Sequence, residues 1–330
     1  MINTSLTYFS KNNWHGKQVL VTGGAGFIGS WLAESLVNLG AVVTVVDNLS
    51  AGKLDNIRHL LKHIKFLKGD VRDASIVKRV VKGKDYVFHL AANASVPNSI
   101  KNLDYDFETN VIGTYNILKT VHLLGNNTKV IYASSAAVYG EPQYTPIDES
   151  HPLNPVSPYG ASKLCGENYC LTFSRVYDLK TVALRLFNVY GPRQPRYVIY
   201  DLLKKLSKNN DSLEVLGTGE EKRDFVYITD TVNAFRLAAE KDDAVGKAVN
   251  IGTNTLISIK QLASLLLKQL KWEDRTSIEF TGFSWKGDVK TFQADITLAK
   301  KILGFNPTIS FTEGLKLEIE WFKKLCRMDD

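Results

Sequence analysis

A tyrosine followed four residues later by a lysine, Tyr159 and Lys163 in "PYGASK", can make a base if both lie on one turn of a helix. A free phenol titrates near ~10. An ammonium ~5 Å away at an effective dielectric of ~20 favours the phenolate by ~3 kcal/mol, roughly two pKa units. Such a base could take the proton of an alcohol while hydride leaves the same carbon. A serine hydroxyl would hold the reacting oxygen in line, and Ser135 stands 24 residues upstream, just after the strand-like run "KVIYA".

The spacing alone does not select Tyr159, because Tyr115/Lys119 and Tyr200/Lys204 repeat it. Context does. Tyr159 is followed by Gly160, Ala161 and Ser162, small residues that admit a cofactor or another stretch of backbone, whereas Tyr115 lies in a packed-looking helical run and Tyr200 heads another. The competing role for Ser134 and Ser135 is to cap the strand end. Directly after them come Ala136 and Ala137, which can transfer no proton.

A second chemical signature is "VLVTGGAGFIGSWLAESLV". Gly24, Gly26 and Gly29 fit G-x-G-x-x-G, and Gly23, Gly26 and Gly29 repeat every three residues. Between a strand and a helix, missing β-carbons permit a tight turn and bring backbone N–H groups and the helix N-terminus to a pyrophosphate. Asp47 closes the next strand-like run 18 residues after Gly29, where a carboxylate binds the ribose hydroxyls of an adenosine and repels a 2′-phosphate. NAD is therefore favoured over NADP. Asp70, ending "KFLKGD", falls where a third strand would approach the adenine.

These groups must be positioned by strands. "QVLVT", "AVVTVV", "IKFLK", "DYVFHL", "KVIYA" and "TVALRLF" are β-branched or aromatic runs, mostly separated by segments of helical spacing such as Phe27, Ile28, Trp31, Leu32, Leu36 and Leu39. The alternation predicts an α/β fold with a doubly wound parallel sheet of Rossmann type. Beyond residue 190 the rhythm loosens: "GPRQPR" and "LGTGEEKRD" read as loops, and "ISIKQLASLLLKQL" as a helix capped by Ser258. We expect residues 1–187, completed by 222–252, to bind the dinucleotide. Residues 188–221 and 253–330 would form a smaller substrate lobe, with ligands at the carboxyl ends of the strands.

Bulk properties set outer limits. No apolar run is long enough to span a bilayer, and the first residues lack a basic-then-apolar leader. Cys165, Cys170 and Cys326 lack metal-ligand spacing, so a reduced, cytoplasmic protein without a bound metal is expected. The net charge of +7 is spread over scattered lysines without an aromatic-basic signature, which argues against a nucleic-acid partner.

The glycine motif, "DNLSAGK", "GDVRD", "FHLAA", "NVIGTYNIL", "ASSAAVYG", "SPYGASK", "LRLFNVYGPRQ" and "RDFVYITD" follow one another as in the extended short-chain dehydrogenases/reductases, over about residues 17–320. Within them the chain most resembles the UDP-glucose 4-epimerase group of NAD-dependent sugar-nucleotide epimerases and dehydratases. The resemblance implies that Ser135, Tyr159 and Lys163 are catalytic. It places Phe27, Ile28, Asp47, Asn48, Asp70, Val71, Leu90, Ala91, Ala92 and Asn110 around NAD. Asn188, Arg223 and Asp288 would hold the sugar diphosphate, where the fork of an arginine suits phosphate oxygens. It also implies a homodimer formed through the tyrosine-bearing helix and its neighbour, in 158–177 and 107–124. One position departs from the pattern: Trp285 stands where the family has an arginine, so that contact is missing or comes from Lys286 or Arg196.

The expected reaction is epimerisation of a nucleotide-diphosphate sugar at C4 through a 4-keto intermediate. The dehydratases and decarboxylases of the same superfamily are the alternative, and they carry acids where this chain has Ala136 and Ala137. A non-catalytic NAD-binding protein is a more distant reading, since all three triad residues are present.

Overall fold

Strand-length apolar runs and amphipathic segments alternate from residue 18 onward, and each becomes its own element. The structure, a computed structural model, describes residues 13–125, 127–283 and 289–326. The first half comprises β1 (Gln18–Thr22), α1 (Phe27–Asn38), β2 (Val42–Asp47), β3 (Ile64–Lys68), α2 (Ala74–Val81) and β4 (Tyr86–His89). Helices α3 (Val96–Lys101) and α4 (Leu103–Phe107) run through a widened π turn into α5 (Gly113–Leu124). Then come β5 (Lys129–Ser135), α6 (Pro158–Tyr177) and β6 (Thr181–Leu186).

The remaining elements are shorter. They are β7 (Asn188–Tyr190), α7 (Val198–Leu206), β8 (Ser212–Val215), β9 (Lys222–Arg223), β10 (Phe225–Tyr227), α8 (Ile228–Glu240) and β11 (Lys247–Ile251). After them follow β12 (Ile257–Ser258), α9 (Ile259–Leu270), β13 (Ser277–Phe280), β14 (Thr291–Phe292), α10 (Thr297–Leu303) and α11 (Phe311–Cys326).

Seven strands form one parallel sheet in the order β11-β6-β5-β4-β1-β2-β3. Its faces bury alternate residues: Val19, Val21, Phe88 and Ile131 on one side, Leu20, Val87, Val130 and Tyr132 on the other. Covered on both faces, such strands read as continuous apolar runs. Strand order reverses between β1 and β4, which opens a crevice at their carboxyl ends. Gly23 sits in that crevice with φ of +69°, and a β-carbon there would lie 2.7 Å from the Ala91 nitrogen. Gly29 brings α1 against the turn; its β-carbon would fall 2.2 Å from the Gly23 oxygen.

The tyrosine helix, α6, begins and ends at the residues that spacing predicts. Ser157 accepts from the Gly160 N–H at 3.1 Å, Pro158 occupies the first turn, and Asp178 stops the helix in a left-handed conformation. Ser258 caps α9 through a reciprocal capping box with Gln261.

The C-terminal third builds three small sheets, β10-β7, β12-β9-β14 and β13-β8. The expected loop "LGTGEEKRD" therefore contains β9, whose Arg223 pairs with Ile257 on one side and Phe292 on the other. Two residues are too few to leave a periodic pattern. "GPRQPR" does remain a loop. It is pinned to α1 by Arg193, which lies over the Trp31 ring at 4.5 Å and pairs with Glu34.

Two expectations follow. Gly29→Ala forces α1 away from β1, so the variant should lose about 1–3 kcal/mol in urea denaturation and co-purify with less NAD. The second concerns Glu318 of α11, fully buried with no hydrogen-bond partner on either oxygen among the described residues. Burial pushes its pKa up to about 8 from an ordinary 4.5, only partly offset by the nearby Gly191 N–H. Its stabilising contribution belongs to the neutral carboxyl, complete below about pH 4.5 and lost as pH rises to about 8. Glu318→Gln should then gain on the parent by about 3 kcal/mol between pH 5 and pH 8 in denaturation curves.

Candidate active site

Ser135, the last residue of β5, does two things. Its hydroxyl accepts from the Ala137 N–H at 3.2 Å, which is the capping role, and it also acts on the Tyr159 phenol, favouring its ionised form. Ser134 turns the other way and donates to Glu167 at 2.6 Å. Glu167 is buried and clasped by Arg185, whose guanidinium also reaches the Tyr139 hydroxyl at 2.8 Å. Ser134 is therefore part of the support behind the strand.

The electrostatics correct one expectation. Burial pushes the Tyr159 phenol up to about 12, with the Tyr197 phenol acting in the same direction; the Ser135 hydroxyl and the Arg196 charge pull it back only partly. Lys163 does not produce the expected lowering. Burial brings its own pKa down to about 7, opposed by Cys170, Asp106 and Glu167. Its ammonium lies 4.2 Å from the centre of the Tyr132 ring. Desolvation of both groups outweighs their mutual attraction.

The small residues after Tyr159 serve backbone contacts. A β-carbon on Gly160 would lie 2.6 Å from the Ala137 oxygen. Ser162 donates to the Tyr159 carbonyl at 3.0 Å and accepts from Asn110 at 2.9 Å. Asn110, in the π turn, also bonds the backbone of Asn93 and the buried carboxylate of Asp106. Its amide thus fixes the turn facing α6.

Around the crevice the residues fit a dinucleotide. Gly23, Gly26 and Gly29 line a cradle that side chains would fill, and Gly26 precedes α1 without a side-chain cap. The first N–H groups of that helix, Phe27 and Ile28 among them, have no intrahelical acceptor. Asp47 is buried at the end of β2, where it accepts from Ala25 and Leu49 N–H groups. Burial raises its pKa, against the lowering from those two bonds. Asp70 meets burial too, yet a fork from Arg72 and a bond from Asn48 lower its pKa overall. Val71 is buried beside it, and Leu90, Ala91 and Ala92 border the crevice after β4.

On the other side, Asn188 donates to the Asp224 carbonyl at 3.2 Å, while Arg223 donates to the Lys222 carbonyl at 2.9 Å. Asn188, on β7, thus meets the residue that follows Arg223 in the chain, while Arg223 itself lies on β9 between β12 and β14. Asp288, with Trp285 and Lys286, lies outside the described residues. Asp224 was not foreseen: its buried carboxylate accepts from Thr253, Asn254 and Ala294, tying three segments behind Arg223. Tyr197 was also missed. It adopts φ of +73°, its hydroxyl donates to the Ala94 carbonyl at 2.6 Å, and Arg196 lies over its ring at 5.2 Å, near enough for its charge to act on Tyr159.

Comparison with known proteins agrees with this geometry. A model of the family described as GDP-mannose 4,6 dehydratase matches residues 20–317. The UDP-glucose 4-epimerase of Mycolicibacterium smegmatis is 32% identical over 312 residues, covering 93% of this chain and 98% of that protein. The crystal structure of the Thermotoga maritima UDP-glucose 4-epimerase with UDP-glucose is 37% identical, with a TM-score of 0.86 over 93% of this chain and 99% of that one. The UDP-glucuronic acid 4-epimerase of Bacillus cereus, in complex with UDP-glucuronic acid and NAD, is 31% identical with a TM-score of 0.85, again over 93% and 99%. With a glycine cradle at the sheet's switch point and a Ser-Tyr-Lys cluster beside it, the chain belongs to the extended short-chain dehydrogenases/reductases, in the NAD-dependent sugar-nucleotide epimerase and dehydratase family.

Proposed function

We propose that the protein is a 4-epimerase of a nucleotide-diphosphate sugar. The observation that carries this reading is the turn after Ser135. Ala136–Val138 form one 3-10 turn, and its two alanines place no acid beside the Ser135–Tyr159 pair. Loss of water or of carbon dioxide would call for a further proton-transfer group there; reversal of the first step does not.

In this reading Tyr159 takes the C4 hydroxyl proton, Ser135 orients the oxygen, and Tyr159 returns the proton after the 4-keto sugar has turned. Bound NAD supplies the hydride acceptor and donor. Gly23, Gly26, Phe27, Ile28, Gly29, Asp47, Asn48, Asp70 and Val71 would hold it, with Leu90 to Ala92, Asn110, Tyr159 and Lys163 on the nicotinamide side. Asn188, Arg223 and Asp288, from the lobe made of 188–221 and 253–330 and its junction with 222–252, would hold the diphosphate. Ionising the buried phenol is costly, so a cationic ring stacked nearby would favour the phenolate. A cytoplasmic setting accords with the three free cysteines.

Arg196 favours a second reading of the sugar. Its positive charge acts on Tyr159 at the mouth of the site, where a carboxylate on C5 of a uronic acid could pair with it. The NAD-replete enzyme should interconvert C4 epimers in a panel of UDP-, GDP-, dTDP- and CDP-sugars that includes a uronate, read by product mass and NMR. Failure with every member, or a product lighter by water or carbon dioxide, would discard the epimerase. Tyr159→Phe should cut kcat by about 10²–10⁴-fold.

The outer face of α5 and α6 suits a second copy of the chain. Leu123 and Val176 are 70% and 58% exposed, and Ala161, Leu164, Cys165 and Tyr169 line an apolar groove between them and Pro155. Light scattering should give twice the chain mass, and Leu123→Asp with Val176→Asp should halve it.

A further inference from the structure

Lys163 is 3% exposed, and its ammonium has no carboxylate within ion-pair distance among the described residues. A buried ammonium held by nothing would lose its proton or swing toward water. What it meets is the face of Tyr132, with the ring centre 4.2 Å from Nζ. The same tyrosine hydrogen-bonds the main chain of the same lysine: its hydroxyl donates to the Lys163 carbonyl at 3.2 Å. Gly166 makes this possible, because a β-carbon there would lie 2.4 Å from the phenol oxygen. On its far side the Tyr132 ring packs on His89, 5.8 Å between centroids. His89 is itself fixed between the hydroxyls of Thr22 and Thr114, at 2.8 and 3.0 Å.

We propose that Tyr132 is the positioning residue for Lys163, holding the ammonium against its ring face while its hydroxyl anchors the carbonyl of the same residue. Other groups could take this part, and each is less suited. Asp106 acts from the end of α4, and Glu167 and Cys170 act from α6 itself, all favouring the ammonium at a distance. Glu167 is committed to Arg185 and Ser134. His89, from β4, is kept neutral by burial, which takes its pKa to about 3. An anion in direct contact would compensate the ammonium's charge; a ring quadrupole attracts the ammonium while leaving that charge uncompensated. The clamp favours the charged form of Lys163 against the burial that opposes it. Its catalytic importance rests on the epimerase reading, whereas the clamp itself does not.

The test replaces Tyr132 by Phe and then by Phe with a progressively fluorinated ring. The shape stays nearly constant while the negative potential of the face is removed. Titration of Lys163 is followed by NMR in the full-length protein labelled with ¹⁵N at lysine Nζ, alongside kcat and KM for any sugar nucleotide turned over. Full fluorination is expected to raise the acid dissociation constant of Lys163 about three- to thirtyfold over the Phe variant, lowering its midpoint stepwise with fluorine count. In an active enzyme the alkaline limb of kcat should shift down in step, with KM unchanged. A Lys163 midpoint indifferent to fluorination overturns the proposal. A midpoint that moves in a protein that turns over no sugar nucleotide sustains the clamp and removes the epimerase reading instead.

Discussion

The molecule depends on how closely the chain passes itself where the strand order reverses. At the carboxyl ends of β1 and β4, the backbone at Gly23 comes so near Leu90 and Ala91 that no side chain fits. Gly29 then lets α1 settle on the same turn. This contact sets the height of the helix N-terminus over the sheet, and with it the position of every N–H that could meet a pyrophosphate. Asp47 and Asp70 are placed by the two strands on one side of the crevice; Ser135 and the tyrosine helix are placed from the other.

Buried charge is handled differently on the two sides of the tyrosine helix. Behind β5, Glu167 and Arg185 make a closed set with Ser134, Tyr139 and Asn250, every member hydrogen-bonded. Such a set resists distortion because loss of any partner strands a desolvated charge. Toward the crevice, Lys163 has an aromatic face and open chemistry ahead of it. Tyr159 stands at the junction, its phenol made harder to ionise by the burial that shields the site from water.

Much of this was legible in the residues. Six strands of the large sheet, the helix over 158–177, the Ser258 cap, the glycine cradle and the separation of Tyr159 from its two imitators all came from periodicity and small-residue context. Long elements repeat their pattern often enough to be read. Residues 222–223 could not be read as a strand, because two residues have no period. Asp224 and Tyr197 were hidden for another reason: each acts through contacts tens of residues away in sequence, to Thr253 and Ala294 in one case and Ala94 in the other. The charge balance at Tyr159 was misjudged because spacing reports proximity and says nothing of desolvation. Tyr132 did leave a trace. It lies two residues before Ser134, on the strand face turned toward α6, a position that in an otherwise aliphatic strand could have drawn notice.

The network behind Ser134 also has a temporal meaning. Arg185 reaches Tyr139, and Tyr139 donates to Asn250, a residue of the last strand to join the sheet. Asn250 in turn donates its amide to the Ile147 carbonyl and its backbone N–H to the Glu149 carboxylate. A chain growing from its N-terminus therefore carries Ser135 and Tyr159 long before Asn250 can join the bracing behind them. Only when residues near 250 have emerged can the strand bearing Ser135 acquire the part of its support that runs through Asn250.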